Sequence, residues 1–173
     1  VNRCLIRTAN AGYTIDTIYI ENCIIKNCGS NGYNLIYPKH IVKNLTVKNS
    51  TLYNYTNGES LFSPNQSDTN NQFKFLFENN TVYKWGKDDT RALCNTKSSY
   101  STNSAYIFRN NIITEPGVSA LPMLLNTTGG NLTAEKNLVV NYGTYVMLSP
   151  VAQNISDLTL AGLGLSSIGF ENA

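Results

Sequence analysis

The chain has 173 residues, 42 % of them hydrophobic and only 14 % charged, with a formal net charge of +2. With no run of Lys or Arg, nucleic acid and anionic membrane find no electrostatic footprint, and no apolar stretch approaches the roughly 18 residues of a membrane-spanning helix. Asn makes up about one residue in seven, and Thr, Ser, Tyr and Gly fill much of the rest, which is the profile of turn-rich β structure in one domain, 1–173.

Residues 1–16 read as a partial coil that closes on a turn at Gly12 and Tyr13. The segment 19–29, YIENCIIKNCG, then returns as TVKNSTLYNYT (46–56), LFENNTVYKWG (76–86), IFRNNIITEPG (107–117) and TAEKNLVVNYG (133–143), at intervals of about 26 to 31 residues. Overlaid, these copies form columns. Ile20, Val47, Phe77, Phe108 and Ala134 make one apolar column, and Ile25, Leu52, Val82, Ile113 and Val139 another. Asn22, Asn49, Asn79 and Asn110 make a third, continued by Lys136. Beside it Glu21, Lys48, Glu78, Arg109 and Glu135 alternate in sign. Self-similarity of this period signals a solenoid.

Each copy splits into three short strands. The first falls at 17–20, 44–47, 74–77, 105–108 and 131–134, and the second, after the Asn corner, at 24–26, 51–53, 81–83, 112–114 and 138–140. A bend follows at Gly29, Gly86, Gly117 and Gly143. The third strand falls at 34–38, 60–64, 92–95, 123–126 and 146–150, with a Pro where pairing stops in three of them. No window carries the i, i+3, i+4, i+7 spacing of an amphipathic helix. The expectation is all-β: a parallel β-helix of about five to six coils of three short strands, right-handed as parallel crossovers are. Segment 157–173 supplies the last strand and a cap or exit, LTLAGLGLSSIG (158–169) leaving the pattern.

The Asn column is expected to satisfy the backbone of the corner. The alternating column is expected to face solvent and select stacking register, since opposite charges across strands contribute roughly 0.2–1 kcal/mol each. Cys4, Cys23, Cys28 and Cys94 lack zinc-ligand spacing. Because VNRCLIR (1–7) overlays IENCIIK (20–26), a stack of small buried thiols, or a Cys4–Cys23 disulfide, is expected. The sequons fall out of the Asn corners and carry little information about glycans.

The recurring coil unit, as in FLFENNTVYKWG (75–86), resembles that of the pectin-lyase-like parallel β-helix superfamily over nearly the whole chain. The resemblance is closest to C-terminal domains of surface or periplasmic proteins of glycan-degrading gut bacteria. It implies an extracellular, cell-surface or periplasmic setting, a polysaccharide or oligosaccharide partner, and upstream domains of a longer polypeptide. A lyase on such a fold is expected to hold Ca²⁺ between carboxylates and a uronate. Here that would take Glu59, Asp88 and Asp89 with Arg91 as the cation, while Lys87 and Arg91 are also expected to bind carbohydrate beside the aromatic residues. Counting from the bend puts Glu59 beside Asp89, and counting from the strands puts it beside Arg91. His40 lacks the flanking glycines of a pectin-type hydrolase. Tyr55, Trp85 and Tyr142 share a column after the second strand and read as an outward stripe on which pyranose rings stack. The functional expectation is glycan binding or support without a self-sufficient active site, no cofactor being required. The alternatives are a Ca²⁺-dependent uronate lyase and a structural adhesin or tail-fibre segment.

Overall fold

The computed structural model describes residues 4–8, 12–28, 34–56, 59–64, 72–86, 92–96, 103–115, 123–142, 145–147 and 150–167. The chain opens with β1 (Ile6–Arg7), followed by β2 (Thr14–Glu21), β3 (Ile24–Lys26) and β4 (Ile36–Tyr37). The next turn holds β5 (Ile41–Lys48) and β6 (Thr51–Tyr55), and the third holds β7 (Lys74–Glu78), β8 (Thr81–Trp85) and β9 (Ala92–Asn95). The fourth has β10 (Ala105–Arg109), β11 (Ile112–Thr114) and β12 (Met123–Thr127), and the fifth β13 (Gly130–Val140) and β14 (Tyr145–Met147). β15 (Pro150–Leu158) and a 3-10 turn, Ala161–Leu163, close the described chain.

All pairings are parallel and run from one turn to the next, which defines a β-solenoid with three faces. The first stacks β2, β5, β7, β10, β13 and β15, and the second stacks β3, β6, β8, β11 and the end of β13. The third runs from β1 through β4, a single bridge at Phe62, β9 and β12 to β14. Among the described residues, four turns therefore carry strands on all three faces, β13 serving two of them. This is fewer than five to six full coils. At 60–64 pairing shrinks to Phe62, because Pro64 removes a ladder donor two residues on.

The repeat columns are the register of the ladder. Val47 pairs Ile20 and Phe77, and Phe108 pairs Phe77 and Ala134. These residues are buried, with Phe75 and Phe77 stacked at 5.9 Å and Phe108 edge-on to Phe75 at 5.3 Å. Each large apolar side chain so buried contributes about 1.5–3 kcal/mol. At the junction of the third and first faces the buried Tyr106 hydroxyl meets Thr96 Oγ1 at 2.7 Å and Thr127 Oγ1 at 3.0 Å. Gly130 closes that junction at φ 125°, where a Cβ would lie 2.7 Å from the Ser104 carbonyl oxygen.

Several expectations change. Asn22, Asn49, Asn79 and Asn110 are exposed, left-handed corner residues, and Lys136 takes the same conformation at φ 56°. The buried ladder is the next column: Ser50, Asn80, Asn111 and Asn137, ending on Asp157. Cys4 precedes β1 on the third face, whereas Cys23 sits at the corner between the first and second. The two are therefore not stacked, and all four cysteines are free thiols. Only Cys94 is buried, and burial pushes its thiol well up. The strand expected at 146–150 is β14, Tyr145–Met147, and the last strand begins earlier than 157, because residues 150–156 already belong to β15. The tail turn Ala161–Leu163 has no buried residue, and residues 168–173 lie outside the described chain.

Candidate functional site

The aromatic column points inward. Tyr55 is 0 % exposed and Trp85 1 %, and their rings stack on each other with centroids 4.1 Å apart. The half-buried Tyr142 reaches across from a later turn, where its hydroxyl donates to the Trp85 carbonyl oxygen and accepts from the Trp85 amide at 3.2 Å. Burial raises the hydroxyls of Tyr55 and Tyr142 above the ordinary phenol range. These rings are core, and their faces are not open to a sugar. The outward expectation assumed that strand alternation runs on through the column. It does not, because Asn54 and Lys84, one residue earlier, are left-handed at φ 61° and 52°. That second corner resets parity and turns the following ring inward.

The acidic segment stands differently. Lys87, Asp88, Asp89 and Arg91 lie outside the described residues, while Glu59 is half-buried just before Ser60. The Phe62–Cys94 bridge levels Leu61 with Leu93, which is the count made from the strands rather than from the bend. Among the described residues no three of His, Cys, Asp and Glu gather as a metal site.

The structure builds a hollow elsewhere. On the outer side of the first face a volume of about 590 Å³ is lined by Lys43, Asn44, Gln72, Phe73, Lys74, Asn103 and Ala105. Asn44, Lys74 and Ala105 are register partners on β5, β7 and β10, so three successive turns form the rigid floor. Phe73 is buried beneath it, its amide held by Ser104 Oγ at 3.0 Å. Lys74 is exposed, and Lys43 meets Asp16 only loosely, at 3.8 Å with both side chains solvated. Asn44 donates to the Asp16 carbonyl at 3.0 Å. The hollow thus offers two ammonium groups among three carboxamides. Sequence columns did not single out these residues, because the three column members here, Asn44, Lys74 and Ala105, repeat no residue type. The signal available was that Gln72 and Asn103 end two polar segments of the sequence, 64–72 and 96–103, that carry no hydrophobic period.

Comparison with protein-family models, with curated proteins and with solved structures gives no match to this chain.

Proposed function

We propose that this solenoid binds an acidic polysaccharide along the outer side of its first face, in the hollow flanked by Lys43 and Lys74. The observation that carries the reading is two cations on strands of consecutive turns with three carboxamides beside them, Asn44 on β5 and Gln72 and Asn103 just before β7 and β10. Ammonium groups suit carboxylate or sulfate, and carboxamides donate to and accept from hydroxyls. A shallow, open hollow suits a polymer that passes across it better than a small ligand that must be enclosed. The pectin-lyase-like superfamily and a secreted or surface setting remain the frame we propose for this activity, on the strength of the coil unit and the parallel solenoid.

The test is retardation in a native gel cast with polygalacturonate. The chain is expected to be slowed there but not by neutral dextran, and rising salt should release it as the ammonium groups are screened. The double variant Lys43→Ala, Lys74→Ala should migrate as in the blank gel. No retardation, or retardation indifferent to the double substitution, would remove the proposal. Unsaturated product formed from polygalacturonate and suppressed by chelator would instead move the reading to a Ca²⁺-dependent lyase at Glu59, Asp88, Asp89 and Arg91.

A further inference from the structure

We propose, resting on the reading of the hollow as an acidic-polysaccharide site, that the bound polymer runs along the solenoid axis with about one sugar to each turn, on a track two columns wide. The first column is Thr17, Asn44, Lys74, Ala105 and Asn131, each level with the next. The second, two residues further along every strand, is Tyr19, Thr46, Leu76, Ile107 and Thr133. Both columns point outward, because the alternate residues, such as Phe75 and Phe77 on β7 and Tyr106 and Phe108 on β10, are buried.

Spacing favours the axial direction. Neighbouring strands lie about 4.8 Å apart, close to the length that one pyranose adds to a 1,4-linked chain, whereas outward residues along one strand stand about 6.7 Å apart. A polymer lying along the axis therefore meets an equivalent position on each turn, sugar after sugar. One lying along a strand falls out of step at once.

Chemistry favours the same direction. Neither column holds an acid, so a polyanion on this path meets no like charge from the track itself. The half-buried Leu76 and Ile107 give an apolar floor for ring C–H groups, between the hydroxyls of Thr46 and Thr133. Along β7, by contrast, a chain leaving Lys74 arrives at Glu78, whose carboxylate already engages Lys48 and Arg109. Cations stand on two consecutive turns, Lys43 on β5 and Lys74 on β7, while Ala105 and Asn131 on the next two are neutral. The ligand class is thus a 1,4-linked polymer with uronates on at least two adjacent sugars, the sugars beyond them needing only hydroxyls.

Amide chemical-shift mapping on the isotope-labelled chain, titrated with digalacturonate and separately with tetragalacturonate, tests the direction. The disaccharide is expected to move amides at 43–46 and 74–76. The tetrasaccharide should extend the shifts across turns to 105–107 and 131–133, leaving Glu78 and its partners Lys48 and Arg109 unmoved. Asn131→Asp, at an exposed position two turns from Lys74, should weaken tetrasaccharide binding about two- to fivefold, the worth of one exposed charge pair, and leave the disaccharide unchanged. Shifts that lengthen along β7 to Glu78, or a tetrasaccharide indifferent to Asn131→Asp, would overturn the axial track and leave binding at the hollow standing. Silence towards both sugars would overturn the reading of the hollow itself, and the track with it.

Discussion

Asn110 and Asn111 are chain neighbours with the same side chain, yet the corner uses them for opposite purposes. Asn110 supplies a left-handed backbone at φ 55° and keeps its amide outside. Asn111 turns inward, accepts from the Asn80 amide at 2.9 Å and donates to the Phe77 carbonyl at 2.9 Å and to Asn137 Oδ1 at 2.7 Å. Asn80 and Asn137 repeat this pattern, and the last member, Asp157, accepts from Asn137 at 2.6 Å and from the Tyr145 hydroxyl at 3.0 Å. Amide side chains can donate and accept at once, which a stacked interior corner requires, whereas the final rung needs only an acceptor. Asn111→Ala is expected to cost roughly 3 kcal/mol in a denaturant titration, since several buried groups lose partners together. Asn110→Ala should cost only about 1–2 kcal/mol, the left-handed penalty for an ordinary residue, and Asn110→Gly almost nothing. Equal costs at the two positions would contradict the division of labour.

Strands explain why charge belongs in this column. Glu78 on β7 stands between Lys48 on β5, with Nζ to Oε2 at 2.8 Å, and the Arg109 guanidinium on β10. At 8 % exposure it is more enclosed than a solvent-facing column implies. Its hydrogen bond to Lys48, then that to Arg109 and their charges, hold its carboxyl below the usual range against the opposing cost of burial. A carboxyl lowered on folding contributes stability that is complete above the unfolded value of about 4.3 and lost as pH falls through the folded value. Stability measured between about pH 5 and pH 2 should therefore decline less steeply for Glu78→Gln than for the wild type, and a parallel decline would refute the role. The same strand scale decides the aromatic column: Tyr55 and Trp85 are core because a corner inside the segment breaks alternation, not because their own chemistry differs from that of an exposed ring.

Across the molecule, each turn buries its inner face only against its neighbours, so stability is distributed along the axis. The turns of β7 to β12 hold Phe73, Phe75, Phe77, Phe108 and Tyr106 in mutual contact, while β1 pairs over two residues and β15 ends with exposed Ile155 and Leu158. Amide hydrogen exchange should show the slowest protons in β7, β8, β10 and β11, and the fastest among paired strands in β1 and β15. Uniform protection along the axis would show that the solenoid opens only as a whole.

The order of strands, the parallel stacking and the inward apolar columns were legible in the chain, because a turn that repeats places equivalent residues level with one another. The periodic sequence carries register directly, one column at a time. Tertiary structure decided what no column contains: which of two adjacent Asn residues is buried, where corners reset alternation, and that Lys43, Lys74, Gln72 and Asn103 surround one hollow. The reason is geometric. A left-handed residue rotates everything after it, and a site gathered from a strand, a neighbouring turn and two loop ends has no repeat by which a linear pattern could mark it.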